Sequence, residues 1–164
     1  KAAYEHKGPV YLRFGRLAVP VFHSEDYQFV IGKGEVLQEG TDVAIIANGL
    51  MVYEAIVAAE ELEKDGIHAM VINMATIKPI DKEIILQAAA ETGAIVTAEE
   101  HTIVGGLGSA VAEALAETCP VPVLRIGTND CYGRSGTALE MLAYTGLTAE
   151  NIAAKAREAI SKKK

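Results

Sequence analysis

Four short apolar runs recur along the chain, Asp42 to Ala47, Ala69 to Met74, Ala94 to Ala98 and Val121 to Ile126. Each is continuous rather than alternating, the pattern of a strand buried on both faces of a parallel sheet. Between the runs the period becomes helical. From Met51 to Lys64, residues Met51, Val52, Ala55, Ile56, Ala59 and Leu62 share one face, with Glu54, Glu60, Glu61 and Lys64 outside, and Asp65-Gly66 closes the helix. Lys78-Pro79-Ile80-Asp81 stops the second run and opens a helix through Ala90, with Asp81 as its N-cap. A third helix follows Gly108. Two more are expected from Thr137 to Tyr144 and from Thr148 to Ser161, with Ser135 or Thr137 and Thr148 as caps; Asn151, three residues after Thr148, makes an imperfect capping box. This alternation with short connections predicts an α/β fold with a doubly wound sheet.

The opening is less regular. Ala2 to His6 could finish a helix, Gly8-Pro9 breaks it, and Val10 to Arg13 resembles a strand. Leu17 to about Gln28 reads as a linker crossing a surface, so the main domain begins near Tyr27. Phe29 to Leu37 is expected to form two short strand pieces around a Gly-Lys-Gly turn, and Glu39-Gly40 a second turn.

The length of 164 residues fits one domain with an appended segment. Half of the residues are hydrophobic but only 5% are aromatic, which calls for an aliphatic core. A formal charge of -7 disfavours nonspecific attraction to nucleic acid or anionic membrane, and Lys162 to Lys164 reads as a solvated tail. Cys119 and Cys131 form neither a CxxC pair nor a zinc-type spacing with the histidines, which argues for a reducing compartment. No stretch approaches the roughly 20 apolar residues that span a bilayer. The start is charged and mixed, unlike a signal peptide; it lacks an initiator Met and opens mid-pattern, which suggests a piece of a longer polypeptide.

The segment AIVTAEEHTIVGGLGSAVAEAL, from Ala94 to Leu115, concentrates the candidate chemistry. Gly105, Gly106 and Gly108 could cradle a phosphate at a helix N-terminus or let helix and sheet meet closely. The GxGxxG fingerprint fails because Val111 stands at the third glycine position, so close packing is favoured. Glu99, Glu100 and His101 could be an acid/base cluster, but no nucleophile or metal-ligand spacing completes it; an interface or a hydrogen-bond cluster at a helix N-terminus is favoured. His23 and His68 read as structural. Arg134, in the loop Asn129 to Gly136, could clamp an anion or simply cover the surface. Arg13 and Arg16 flank Phe14-Gly15, a spacing that lets one pack inward while the other reaches a ligand.

Taken in order, PVYLRFGR, GKGEVLQEGTDVAIIANGLMVYEAIVAAEEL, INMATIKPID, VTAEEHTIVGGLGSAVAEAL and RIGTNDCYGRSGTALEMLAYTGLTAENI resemble the C-terminal part of a transketolase over essentially the whole chain. This region is also similar in 1-deoxyxylulose-5-phosphate synthases and in the β subunits of 2-oxoacid dehydrogenases. The RSGTALEMLAYTGLTAENIAA ending resembles transketolase most.

The resemblance implies a three-layer α/β/α domain with a mostly parallel, mixed sheet of about five strands at 27–164. It assigns 1–16 to the tail of a pyrimidine-binding domain and 17–26 to a linker. It implies a cytoplasmic parent enzyme that transfers two-carbon ketol units between sugar phosphates with thiamine diphosphate and magnesium. The cofactor would be held across a dimer interface by domains preceding this one, supplied by an N-terminal section or subunit. Arg16 aligns with the family's substrate-phosphate arginine. The family's catalytic glutamate, its histidines and its diphosphate-binding motif are absent here, so this chain alone is expected to be inactive and to bind no cofactor. Glu99, Glu100, His101, Gly105, Gly106, Gly108 and Arg134 then become interface or structural residues. Neither nucleic acid nor membrane is an expected partner, and a nucleotide-binding module remains the rival reading.

Overall fold

The computed structural model describes residues 1–15 and 18–163. Five strands form one sheet: β1 (Glu35–Gln38), β2 (Val43–Ala47), β3 (Ala69–Asn73), β4 (Ile95–Thr102) and β5 (Val123–Thr128). Their order is β1-β3-β2-β4-β5, with β1 antiparallel to β3 and the other pairs parallel. The three-layer, mostly parallel α/β/α architecture is thus the one the sequence leads one to expect.

The helices α2 (Met51–Lys64), α3 (Lys82–Thr92), α4 (Leu107–Ala116) and α6 (Ala149–Ser161) cover the sheet, with the short α1 (Ala2–Glu5) and α5 (Ala138–Thr145) at its periphery. Strands β2 and β3 are buried at every position, which is why their sequences do not alternate. Their side chains divide between two cores. Val43, Ile45 and Ala47 pack with α2 and α6, whereas Ala44 and Ile46 pack with Ile85 of α3 and with Leu107 and Val111 of α4.

The caps hold α3 and α5 to the register expected from sequence. Asp81 Oδ1 accepts from the Ile84 amide at 3.5 Å and its Oδ2 from the Gly34 amide at 3.1 Å, so one carboxylate caps α3 and pins the turn leading into β1. Asp81→Ala is expected to cost about 2 kcal/mol, adding a lost cap to an unmade hydrogen bond; denaturant unfolding measures this. For α5 the cap is Thr137 rather than Ser135, in a full capping box with Glu140, whose carboxylate is held below its ordinary range by the Thr137 hydrogen bonds. Thr148 caps α6 through the Asn151 amide.

Four expectations need correction. Val10 to Arg13 forms no strand, because no described strand lies beside it to complete a ladder. The Phe29 to Leu37 stretch yields a single strand, β1, since residues 29–34 are spent on the turn. β4 extends past Ala98 to Thr102, and α4 begins at Leu107, placing Gly108 inside the helix. β5 starts at Val123, after Pro120 and Pro122, neither of which can donate to a ladder.

Candidate functional site

The polar residues of the Ala94 to Leu115 segment meet where β4 runs out towards α4. Because β4 continues through them, successive side chains point to opposite faces. Glu99 is only 1% exposed, Glu100 is half-buried and His101 is exposed.

Glu99 faces the N-terminus of α4. Its Oε2 accepts from the Leu107 amide at 2.7 Å and its Oε1 from the Gly108 amide at 2.9 Å. These charge-assisted bonds satisfy two amides that a helix start leaves open, and the carboxylate also meets the positive end of the helix dipole. Such closeness needs glycine, since a Cβ on Gly106 would overlap the Glu99 carboxylate. A Cβ on Gly108 would stand 2.8 Å from Thr97 Oγ1 and 2.7 Å from Arg125 Cδ. Gly105 turns the chain into this corner with φ of 74°, a conformation that disfavours a side chain.

This geometry decides between the sequence readings. The amides that would cradle a phosphate already hold a buried carboxylate, and an added anion there would meet like charge. Two other helices are served in the same way: Asp81 caps α3, and Glu54 of α2 accepts from the Ala149 amide of α6 at 2.9 Å. Nor does Glu99 suit a general base, because both of its oxygens are engaged. His101 Nδ1 lies 2.8 Å from the Thr102 carbonyl, which can only accept, so Nδ1 carries the proton; its 3.8 Å separation from Glu99 is too long for a hydrogen bond. Among the described residues no group of three or more His, Cys, Asp or Glu stands close enough to hold a metal ion. At this corner the Leu107 and Gly108 amides, which a diphosphate would need, are already taken by Glu99.

The Arg134 guanidinium lies 4.4 Å from the centre of the Tyr144 ring on α5, a cation–π contact at the surface. His68 is tied at a strand edge by Glu63, 3.0 Å from its Nδ1, and by Asp42, which accepts its backbone amide. Arg16 lies outside the described residues, as do Leu17 and Lys164. Its neighbour in the opening segment, Arg13, donates from Nη2 to the Glu100 carbonyl at 2.7 Å. Sequence reasoning missed Arg125, whose Nη1 donates to the Ile103 carbonyl at 2.9 Å and whose stem packs beneath Gly108. A lone arginine inside an apolar strand was the available signal.

The same end of the sheet carries uncovered apolar surface. No residue of α5 is buried, although its sequence is ALEMLAYT. Tyr132, Leu139, Tyr144 and Val104 are exposed there, beside a 220 Å³ cleft lined by Glu100, Thr128, Met141 and Leu147, and Tyr11 and Phe14 of the opening segment are exposed as well.

Residues 32–152 match the family described as transketolase, C-terminal domain. The chain belongs to that family. It is 48% identical over 96% of its length to the 6-deoxy-6-sulfo-D-fructose transketolase subunit SqwH of Clostridium sp. (strain MSTE9), of which it covers 49%. A 1-deoxy-D-xylulose-5-phosphate synthase of Heliobacterium modesticaldum is 45% identical over 96% of this chain and 25% of its own. A solved structure described as a split gene transketolase, inactive beta4 tetramer, superposes with a TM-score of 0.96 and 49% identity, covering 99% of this chain and 53% of that one. The chain thus spans about half the length of the split relatives it matches. As a transketolase C-terminal domain, it uses its glycine-rich corner to close helix onto sheet.

Proposed function

We propose that this chain is the assembly-supporting C-terminal portion of an enzyme that moves two-carbon ketol units between sugar phosphates, inactive until joined by an N-terminal section or subunit. The observation that carries this reading is the division of labour at the carboxyl end of the sheet. Glu99 and the α4 amides are consumed in holding the corner together, while α5, Tyr132 and Leu139 are left uncovered for a partner. Large exposed apolar patches on a stable domain mark interaction sites. The relatives named as a subunit and as a split-gene product favour a separate N-terminal partner. A homodimer of the assembled enzyme, thiamine diphosphate and magnesium on the partner's side, and a cytoplasmic setting belong to the same reading.

The likeness to a 1-deoxy-D-xylulose-5-phosphate synthase favours one second reading, in which the parent is of that thiamine class. The N-terminal section or subunit that joins this chain decides between them, because on either reading the cofactor and substrate motifs lie there. The substrate class has its own test. Arg16→Ala in the assembled enzyme should weaken phosphorylated donors far more than unphosphorylated ones, read from kcat/KM for matched pairs. Equal loss for both would remove Arg16 from the phosphate role.

A further inference from the structure

The opening segment pairs with no described strand, yet it is fastened to the sheet at two places. Arg13 holds it to the carboxyl end of β4 through the Glu100 carbonyl. Further along, His23 holds it to β1 and β3. The Nδ1 of His23 lies 3.4 Å from Glu35 Oε2, its Nε2 lies 3.4 Å from Asn73 Nδ2, and its ring stacks on Tyr27 with centroids 3.7 Å apart and planes 12° from parallel. Since β2 separates β3 from β4, the two fastenings stand two strand spacings apart, about 10 Å. They lie at the carboxyl ends of the strands, where open α/β sheets place their ligand crevice.

The chemistry of the second fastening is specific. An amide NH₂ can only donate, so Asn73 leaves Nε2 as the acceptor and puts the ring proton on Nδ1, facing Glu35. Glu35 Oε2 is sealed from solvent and makes no hydrogen bond among the described residues, so this imidazole is its available compensation. His23 Nε2 thus meets Asn73, its Nδ1 stands at ion-pair distance from Glu35, and one face of its ring is stacked on Tyr27. These contacts are all with the chain's own groups, as a latch requires.

We propose that His23 is a positioning residue, the latch that fastens residues 18–28 to β1 and β3. Its consequence for substrate rests on the ketol-transfer reading, because Arg16 precedes that stretch in sequence. Phe22 packs against the same ring, with centroids 4.3 Å apart, and the Glu35 charge acts on the Tyr27 phenol.

Hydrogen exchange on this chain tests the latch directly. His23→Ala should speed exchange of the Tyr27 amide, which donates to the Ser24 carbonyl at 3.2 Å, by at least about tenfold while leaving β2 and α2 unchanged. His23→Gln, which can still offer a donor to Glu35 and an acceptor to Asn73, should recover part of that protection. Tyr27 supplies a spectroscopic signature. Burial first, and then the Glu35 charge, push its phenol above the ordinary value. A raised tyrosine gives stability that is present below the ordinary value near pH 10 and is lost as pH rises through the folded value. The Tyr27 titration, taken as the difference from Tyr27→Phe, should therefore fall towards the ordinary value in His23→Ala. Unchanged exchange together with an unchanged Tyr27 titration would overturn the latch.

In the assembled enzyme, His23→Ala should raise KM for phosphorylated donors severalfold with kcat within about twofold, as expected when positioning in the bound state is lost. If Arg16→Ala discriminates phosphorylated donors but His23→Ala changes neither exchange nor KM, the latch fails. If Arg16→Ala shows no such discrimination, the phosphosugar reading fails, and the exchange measurement still decides the latch.

Discussion

Gly106→Ala is expected to destabilise the domain by about 4 kcal/mol, the sum of a forced overlap in a packed corner and the loss of a charge-assisted hydrogen bond. The added methyl would occupy the position of the Glu99 carboxylate, which is 1% exposed. Moving it aside also removes its bonds to the Leu107 and Gly108 amides, leaving a buried charge and open helix amides together. For a domain of this size such a loss corresponds to a fall in Tm of roughly 8–16 °C. Glu99→Ala supplies the control. It is destabilising in its own right, but it removes the group with which the new methyl collides, so Gly106→Ala should cost much less in that background. A double-mutant cycle with coupling near zero would show that the corner is not held in the manner described.

Much of the framework was legible because its signals are local. Continuous apolar runs marked β2 and β3, the 3.6-residue period marked α2 at its observed bounds, and Asp81 capped the helix it was expected to cap. The limits of β4 were not legible. Three polar residues after Ala98 look like a strand's end, and only the distant amides of Leu107 and Gly108 make a buried Glu99 tolerable inside the strand. Burial then separates residues that sit together in sequence: Glu99 is enclosed against the start of α4, while His101, two residues on, is exposed.

The candidate site was legible as a location and less so as a function. The sequence leaves an interface or a helix N-terminal hydrogen-bond cluster open for Glu99, Glu100 and His101, and in the structure Glu99 accepts from two amides at the start of α4. The contacts of Arg13 and Arg125 with backbone carbonyls have no sequence signature, since an acceptor carbonyl can belong to any residue. The same holds for His23. It looks like an isolated linker histidine until Glu35 and Asn73 are brought to its two nitrogens from separate strands.

The second large effect concerns activity. Ketol transfer requires a reacting centre whose groups are held together, and removing the cofactor-bearing half takes away both the chemistry and the positioning. The described side chains of this chain offer no metal cluster, and its glycine-rich helix start already holds Glu99. On the proposed reading, an N-terminal section would dock on exposed apolar groups such as Leu139, Tyr132 and Phe14 and bring the reacting centre with it. Activity is therefore expected to belong to the assembly.

The decisive measurement is ketol transfer between sugar phosphates, assayed with thiamine diphosphate and magnesium on this chain alone and on the chain mixed with its N-terminal section. The account predicts background rates for the chain alone and an increase of at least about a thousandfold on mixing. Robust transfer by the chain without another polypeptide would contradict it.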